Sequence, residues 1–410
     1  MTRQVLYISY DGMTDTLGQS QVLPYICGLS MQGYSFTLIS CEKPERFEAN
    51  KNIIEKICLE NNIDWHPLTY HKSPPIISTI WDINQIQKKA YQLQEIKNFS
   101  LVHCRGYISA LVGLALKRRY SLKFLFDMRG LWADEKVDAG AWNLQSPIYR
   151  VVYNFFKKKE REFFLNADHT ISLTERGKKE IQSWDYMRGL ADNITVIPCC
   201  ADTDLFDYSK LDNQKLQTWR EQLQISEKDF VVSYLGSIGT WYMLEEMLDF
   251  FKVLKGKYAQ AKFLFITHDE HERIKMEADK RGLTNDIIIQ PGQRNEVPNL
   301  LALSSLSLFF IRPTYSKLAS SPTKQAEIMA MGIPLICNSG VGDTDKLVMK
   351  YQAGYVIENL CEVNYKKLVS ETDVTNFQKQ KLREGALDYA SLEKGIKSYE
   401  IVYKKCIAID

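Results

Sequence analysis

The segment Ser316–Gly342, SKLASSPTKQAEIMAMGIPLICNSGVG, is the stretch that decides the fold. It predicts a loop, a short helix, a tight turn and a buried strand. Ser320 and Ser321 are expected to cap the helix, with Pro322 at its first position. Gly332 is expected to end the helix. A short helix with a defined start therefore lies directly before a buried strand.

The start of this helix has the properties of an anion site. A helix N-terminus carries unpaired N–H groups and a partial positive charge, so a diphosphate can bind at Ser321, Pro322 and Thr323. Lys324 would supply a counter-charge, and Glu327, one turn further on, would accept hydrogen bonds from a sugar hydroxyl. The alternative is an ordinary capped helix that leads into a strand.

Three cations cluster in sequence around this helix start. Arg312 and Lys317 precede Lys324, and no acidic residue follows Arg312 before Glu327. An uncompensated cluster of this kind favours the anion site over the ordinary capped helix.

Length and composition indicate a globular protein of two domains. The 410 residues exceed what one hydrophobic core usually supports. The formal net charge of +2 gives no reason to expect a nucleic-acid partner. The nine cysteines include no Cys-x-x-Cys pair, which fits buried thiols in a reducing cytosol. Because neither a signal peptide nor a long apolar run is evident, we expect a cytoplasmic protein that at most touches a membrane surface.

The first half opens with a βαβ unit. Val5–Ser9 and Phe36–Ser40 are predicted strands on either side of a helix. Such a unit implies a parallel sheet with functional loops at the carboxyl ends of its strands. Gly18, in the loop after the first strand, would let the backbone approach a phosphate or an acceptor, and a plain turn is the alternative.

The run FDMRGLWADE follows another predicted strand, Phe124–Phe126. It carries Asp127 and Arg129, and Arg105 follows the strand predicted before it in the chain. Two arginines and an aspartate at strand ends suit an anionic, carbohydrate-like ligand. A salt-bridged surface loop is the alternative.

The segment Pro147–Leu165 predicts an amphipathic helix that also carries several lysines. We favour packing of its apolar face on the sheet, with contact between the helix and an anionic membrane as the alternative. The apolar face comprises Ile148, Val151, Val152, Phe155 and Phe156.

The second half repeats the βα pattern from the predicted strand Phe230–Tyr234, which leads into a glycine-rich turn. Small residues there let the backbone approach a phosphate closely. The spacing matches neither a Walker loop nor a dinucleotide fingerprint, which disfavours a cofactor-dependent dehydrogenase. The turn comprises Gly236, Ser237, Ile238, Gly239 and Thr240.

Clusters of potential metal ligands are weak in this sequence. His268-Asp269-Glu270-His271 lacks the His-Glu-x-x-His spacing of a helical zinc site. Asp202-Thr203-Asp204 lies in the expected hinge, and Asp343-Thr344-Asp345 is explained as a helix cap. No metal site is expected.

These motifs together resemble those of the glycosyltransferase family 4 enzymes. GSIGTWY, EVPNLLALSSLSLFFIRP, SSPTKQAEIMAMGIPLI and GVGD are similar to the family's C-terminal domain, and FDMRGLWADE and ITVIPCCADTDLF to its N-terminal domain and hinge. The resemblance spans nearly the whole chain. It implies an α/β GT-B fold, in which two Rossmann-like parallel-sheet domains face a central cleft. It also implies retaining, metal-independent transfer of a sugar from a nucleotide donor, a UDP- or GDP-sugar, without a further cofactor.

The resemblance also implies a division of the chain. Residues 1–200 correspond to an acceptor-binding domain and 201–385 to a nucleotide-sugar-binding domain. Residues 386–410 are expected to form a helical segment that crosses back to the first domain. Cys199–Ser209 is the expected hinge, whose closure would exclude water from the donor.

By match of position, Glu327 resembles the glutamate that contacts the donor ribose, and Ser321–Thr323 the helix start that receives the diphosphate. Val297 is similar to the position that packs beside the nucleobase. The remaining positions assigned to the donor are Ser320, Lys324, the turn Gly236–Thr240, and Gly18 near the phosphates.

The sequence departs from the family pattern at several of these positions. The family commonly has two glutamates with seven residues between them, and Ala319 occupies the first position here. Trp241 and Tyr242 stand where arginine and lysine are frequent after the glycine turn, so Arg312, Lys317 or Lys324 would supply the charge instead. Asp127 replaces a histidine.

For the reaction that this resemblance implies, we hypothesise a role for each candidate charged residue. Lys324 and Arg312 would stabilise the departing diphosphate, and Arg129 and Arg105 would complete the cleft from the acceptor side. Asp127 would orient an acceptor hydroxyl or the donor sugar.

The acceptor expected from the family is a glycan or a lipid-linked glycan in cell-envelope polysaccharide or glycoconjugate synthesis. Two alternatives remain open. One is a nucleotide-sugar epimerase or hydrolase on the same fold. The other is a non-catalytic sugar-nucleotide-binding subunit, which Ala319 favours.

Overall fold

The computed structural model describes residues 3–190 and 193–407. The chain divides into two compact units. Unit 1 contains Met1–Cys199 and Leu392–Asp410, and unit 2 contains Cys200–Ser391. The returning segment, expected from residue 386, thus begins at Leu392.

Unit 1 is built on a parallel sheet of seven strands in the order β3-β2-β1-β4-β5-β6-β7. Helices connect successive strands, as parallel pairing requires. The strands are β1 Arg3–Ser9, β2 Tyr34–Glu42, β3 Ile63–Thr69, β4 Leu101–Arg105, β5 Lys123–Asp127, β6 His169–Ser172 and β7 Ile194–Val196. The helices are α1 Thr16–Gln21, α2 Leu23–Met31, α3 Pro44–Glu60, α4 Ile77–Lys97, α5 Gly106–Tyr120, α6 Trp132–Asp138, α7 Pro147–Asn166 and α8 Glu175–Ser183.

Unit 2 repeats the architecture with a parallel sheet of six strands in the order β10-β9-β8-β11-β12-β13. Its strands are β8 Val231–Leu235, β9 Lys262–Ile266, β10 Ile287–Ile289, β11 Leu306–Phe309, β12 Leu335–Asn338 and β13 Gly354–Ile357. Its helices are α9 Asn213–Gln222, α10 Leu244–Lys255, α11 His271–Asp279, α12 Val297–Leu301, α13 Thr323–Ala330, α14 Thr344–Lys350, α15 Glu362–Glu371 and α16 Lys379–Ala390. The prediction of two Rossmann-like parallel-sheet domains is confirmed, and β13 was not predicted.

The last two helices belong to different units. In α16, the Arg383 guanidinium donates to the Ala330 carbonyl at the end of α13, at 3.1 Å, and to the Asp207 carboxylate at 2.8 Å. These contacts keep α16 in unit 2. The final helix, α17 Leu392–Ile407, packs on α2 and β5 in unit 1.

Apolar strand residues form the core of each unit. Val5, Leu6 and Ile8 of β1 are fully buried because both faces of a parallel sheet are covered by helices. The same pattern recurs in β9, where Phe263, Leu264 and Phe265 are fully buried. Parallel pairing therefore brings the carboxyl ends of the strands, and the loops that follow them, to one edge of each sheet.

Helix α7 buries a different face from the one expected. Phe156, Phe163 and Phe164 pack into unit 1, whereas Ile148, Val151 and Phe155 are exposed. The expectation that these three exposed residues pack on the sheet is wrong, because the more C-terminal phenylalanines orient the helix. The exposed residues recur at i, i+3 and i+7 and form one solvent-facing stripe.

Candidate active site

The segment after the glycine turn is hydrogen-bonded to the residues that follow β11, just before the segment Ser316–Gly342. Tyr242 forms an isolated antiparallel bridge with Ile311. The Met243 amide donates to the Phe310 carbonyl at 3.0 Å, and the Arg312 amide to the Trp241 carbonyl at 2.9 Å. The aromatic pair Trp241-Tyr242 is thereby held at the carboxyl end of the sheet of unit 2.

Lys324 is buried within an aromatic cage. Its side chain is 7% exposed, and its Nζ lies 3.6 Å from the ring centroid of Tyr242 and 4.2 Å from that of Tyr234. The Nζ donates to the Tyr234 hydroxyl at 3.0 Å, and that hydroxyl in turn donates to the Ser237 carbonyl. Two rings and one hydroxyl therefore fix the position of the amine.

No carboxylate oxygen among the described residues lies within 4.0 Å of the Lys324 Nζ. Burial lowers the pKa of Lys324 well below its usual value, and the nearby Glu327 opposes that shift only in part. A buried amine without a paired anion is the state expected of a site that awaits an anionic ligand.

The position of the Lys324 amine also favours a glycine at residue 236. Its φ of +109° is rarely adopted by other residues, and a Cβ atom built there would lie 3.2 Å from the Lys324 Nζ. Of the other predicted turn residues, Ser237 and Thr240 are exposed and Gly239 is partly buried. The structure therefore brings Gly236 and Ser237 to Lys324.

A second lysine is held in a similar way. The Lys317 Nζ lies 3.7 Å above the ring of Trp241, and the side chain is buried. Arg312 is exposed, and its backbone amide contacts Trp241. Two of the three predicted cations are therefore buried against aromatic rings from one segment.

The helix start differs in detail from the prediction. Helix α13 begins at Thr323 with Pro322 at the N-cap, so proline lies one position earlier than expected. Ser320 ends the preceding turn, where its amide donates to the Lys317 carbonyl at 3.2 Å. The prediction that Ser320 caps the helix is wrong, because Ser320 instead ends the 3₁₀ turn Tyr315–Ala319 that precedes the helix.

Glu327 is buried one turn into α13 and already has a partner. Arg294 donates from Nη1 to the Glu327 Oε1 at 2.8 Å, and its guanidinium lies 5.1 Å from the ring centroid of Phe206. Ala319 is fully buried, and Val297 is nearly so at the start of α12. A glutamate at this helix position is thus held in a defined orientation by an arginine from a loop.

Asp127 is buried in unit 1 beneath the C-terminal helix. Its side chain is 1% exposed, and its Oδ2 accepts from the Tyr399 hydroxyl of α17 at 2.8 Å and lies 3.4 Å from the His103 Nε2. Burial opposes its ionisation, but Arg129 and His103 hold the pKa of Asp127 at about 2. The carboxylate that was predicted to orient an acceptor hydroxyl or the donor sugar is therefore covered by α17 and already has internal partners.

The two predicted arginines of unit 1 also have internal partners. Arg129, at a φ of +56°, donates to the Cys199 Sγ at 3.1 Å and lies 3.7 Å from Asp127. Arg105 donates to the Asp11 carboxylate at 2.9 Å. Arg129 thus compensates a buried carboxylate, and the Arg105–Asp11 pair lies at the carboxyl edge of the sheet.

Gly18 lies inside helix α1 rather than in the preceding loop, so that part of the prediction is wrong. A Cβ atom there would lie 2.2 Å from the Gly12 carbonyl oxygen and 2.6 Å from the Met13 Cα. The loop amides of Met13 and Thr14 donate to the buried Glu42 carboxylate at 2.7 and 3.0 Å. The glycine therefore serves close packing of α1 on its own loop.

Sequence reasoning missed four residues of the site in unit 2. No sequence motif marked these four residues as members of the site. Two of them, Trp241 and Tyr242, were noted only because they depart from the family pattern. The missed residues are Tyr234, Trp241, Tyr242 and Arg294.

The histidines of the His268–His271 cluster contact backbone carbonyls. His268 Nε2 lies 3.0 Å from the Gly292 oxygen and His271 Nε2 3.1 Å from the Thr267 oxygen. Within residues 3–190 and 193–407, no group of three or more potential ligands is arranged to hold a metal ion.

Solved structures with the same fold cover almost the whole chain. A glycosyltransferase from Rickettsia africae ESF-5 is 16% identical, with 100% of both chains covered and a TM-score of 0.73. Sucrose-phosphate synthase from Thermosynechococcus elongatus is 14% identical, with 99% of both chains covered and a TM-score of 0.72. Anabaena Alr3699/HepE in complex with UDP-glucose is 11% identical, with 99% and 100% covered and a TM-score of 0.69.

Family models match both halves of the sequence. The model described as Glycosyltransferase Family 4 matches residues 21–205, and the model described as Glycosyl transferases group 1 matches residues 216–369. No curated protein matches the chain significantly by sequence. The two family models and the shared GT-B fold show that this chain is an enzyme of glycosyltransferase family 4.

Proposed function

We propose that the chain is a retaining glycosyltransferase that moves a sugar from a UDP- or GDP-sugar to a glycan or lipid-linked acceptor in cell-envelope polysaccharide or glycoconjugate synthesis. The observation that carries the donor assignment is Lys324, a buried amine held by two tyrosine rings without a counter-ion. A diphosphate at the start of α13 would supply that anion and would favour the charged form of the amine.

The same geometry suits the departure of the nucleotide. As the bond from the anomeric carbon to the diphosphate breaks, negative charge grows on the phosphate oxygens. Lys324 and the backbone N–H groups at the start of α13 are already in place, so little reorganisation is needed as that charge develops. Lys317, fixed by Trp241, is the second cation. We propose that these lysines, and not a metal ion, neutralise the diphosphate.

Glu327 is the proposed contact of the donor ribose. In this structure its carboxylate accepts from Arg294, which limits the orientations of a side chain that is buried on α13. A carboxylate so oriented can accept hydrogen bonds from two neighbouring ribose hydroxyls. The Anabaena neighbour is described in complex with UDP-glucose, so uridine diphosphate sugars are the first donors to test.

A membrane-linked acceptor is supported by the exposed stripe of α7. Ile148, Val151 and Phe155 are exposed beside the exposed cations Arg150 and Lys158. Apolar side chains flanked by cations suit the interface of an anionic membrane. Of the helices in the described part of the chain, none is long and apolar enough to cross a bilayer. We propose peripheral contact with the cytoplasmic membrane face.

Donor binding and turnover test the proposal. Thermal melting of the full chain with UDP- and GDP-sugars should identify one donor that raises the melting temperature. Glu327→Gln should weaken binding of that donor about tenfold or more, because a charge-assisted hydrogen bond is lost. Glu362→Gln, at an exposed glutamate in the same unit, is the matched control.

The products separate the alternatives. Transfer with the anomeric configuration retained, measured by NMR of the product, supports the proposal. Release of free nucleotide from the donor alone would indicate a hydrolase or epimerase. Tight donor binding without turnover on any glycan or lipid-linked acceptor would indicate a non-catalytic subunit.

A further inference from the structure

An oriented histidine lies just beyond β3 in unit 1. The His71 Nδ1 lies 2.6 Å from the Asp82 Oδ1, and the His71 amide donates to the Asp82 Oδ2 at 3.1 Å. Asp82 is buried on α4. Because the carboxylate accepts the Nδ1–H, the opposite ring nitrogen, Nε2, is the one left for a ligand. It can accept from the P–OH of a phosphate monoester, or donate to a phosphate oxygen when the ring carries both protons.

This pair lies beside the first strand of the sheet. The Tyr10 hydroxyl donates to the Asp82 Oδ2 at 2.9 Å, and Tyr10 directly follows β1. The next residue, Asp11, pairs with Arg105 at the end of β4. His71 therefore belongs to the carboxyl edge of the sheet, where ligands bind in parallel α/β folds.

Among the described residues, neither His71 nor Lys72 pairs with an exposed carboxylate. The His71 side chain is 44% exposed, and its Nε2 has no hydrogen-bond partner within the described ranges. Lys72 is exposed and forms no ion pair with any described residue. Ile76, a β-branched residue, has a φ of +70°, a strained conformation of the kind that accumulates at binding sites. This edge can therefore accept an anion.

An apolar surface adjoins these basic groups. Ile77, Ile80 and Trp81 are 66%, 53% and 56% exposed on one face of the first turns of α4. Asp82 and Ile86 lie on the opposite, buried face. A ligand with both a hydrocarbon part and an anionic group would therefore find an apolar surface and basic side chains within a few residues of each other in the chain.

We propose that His71, Lys72 and the exposed face of α4 bind a phosphate-bearing lipid, a single isoprenoid or acyl phosphate that carries the acceptor sugar. This inference rests on the proposed function, because it names the acceptor class of that reaction. One oriented imidazole and one neighbouring lysine suit a single phosphate group. The wider stripe of α7, with its dispersed cations, suits a bilayer surface instead.

Farnesyl phosphate is the probe, titrated calorimetrically into the full chain beside farnesol and inorganic phosphate. It should bind at least about tenfold more tightly than either fragment, since both parts of the site are then filled. His71→Gln, Lys72→Ala and Trp81→Ser should each weaken its binding about tenfold. Lys88→Ala and Ile96→Ser, at exposed positions of the same helix, should leave its binding unchanged.

Equal binding of farnesyl phosphate by all variants, or no binding by the wild-type chain, would overturn the proposal. A second outcome would also overturn it. If the chain sediments with phosphatidylglycerol vesicles, the same three variants reduce that sedimentation, and farnesyl phosphate does not bind, then the site binds a bilayer surface. Lys72 and Trp81 are exposed, so their variants fold even if His71→Gln does not. Stabilisation of the wild-type chain by nucleotide sugars is measured in parallel. If no nucleotide sugar stabilises the chain but farnesyl phosphate binds, the result counts against the donor assignment alone.

Discussion

Replacing Tyr242 by leucine should weaken binding of a nucleoside diphosphate by removing one wall of the lysine cage. The Lys324 Nζ lies 3.6 Å from the ring centroid of Tyr242 and 4.2 Å from that of Tyr234. A desolvated cation–π contact is worth about 2 kcal/mol. The charged form of Lys324 therefore becomes less favourable by about that amount in the variant.

The effect on affinity depends on pH. Above the lowered pKa of Lys324 the amine is neutral in the unliganded protein and must be protonated when the diphosphate binds. The whole of the lost contact then weakens binding, by about thirtyfold. Below that pKa the amine is charged in both states, the contact is lost from both, and the change in affinity is small.

Isothermal titration with UDP and GDP over a pH series measures this effect. Tyr242→Phe keeps the ring and should bind within about threefold of the wild type. Tyr91→Leu, which removes the ring 4.7 Å from Arg119 in unit 1, should have no effect on nucleotide binding. If Tyr242→Leu binds nucleotide as tightly as Tyr242→Phe at every pH, the reasoning is refuted.

Lys324→Met should abolish the proton uptake that accompanies diphosphate binding above the lowered pKa, and should reduce turnover at least about tenfold. Calorimetry in buffers of different ionisation enthalpy measures the uptake, and equal uptake by both proteins would contradict the role of the amine. Because the pKa of Lys324 is lower in the folded chain, the unfolded chain binds more protons between the two pKa values, so the free energy of unfolding rises with pH across that window. Urea unfolding across pH should show a smaller rise for Lys324→Met. Tyr399→Phe removes the hydroxyl 2.8 Å from the buried Asp127 and should lower the free energy of unfolding by about 1–3 kcal/mol, whereas Tyr120→Phe, at a partly buried residue whose hydroxyl bonds Glu95 in an exposed position, should change it little. Equal urea midpoints for these two variants would show that α17 does not depend on this contact.

The strands and the opening helix could be predicted because their signals are local. The strand Val5–Ser9 is an apolar run buried on both sides, and α13 ends where Gly332 and Pro334 follow in the sequence. The two halves of the chain carry the same alternation of strand and helix, which is sufficient for two parallel sheets. Lys324 and Glu327 were also predicted as candidate site residues from the helix start alone.

The partners of the predicted residues could not be predicted in the same way. The hydroxyl that contacts Lys324 belongs to Tyr234, 90 positions away, and the one that contacts Asp127 belongs to Tyr399, 272 positions away. No short-range pattern connects such residues. For this reason neither the burial of Asp127 beneath α17 nor the aromatic cage was predicted.

The sequence by itself determined the parallel α/β architecture, the family and the helix start with its lysine and glutamate, because hydrophobic periodicity, turn residues and motifs act over a few neighbouring positions. Only the tertiary structure decided which side chains are accessible. It placed Tyr234 and Tyr242 around Lys324, covered Asp127 with α17 and left the stripe of α7 exposed. Burial and pairing depend on residues far apart in the chain, and these meet only when the packed core brings them together.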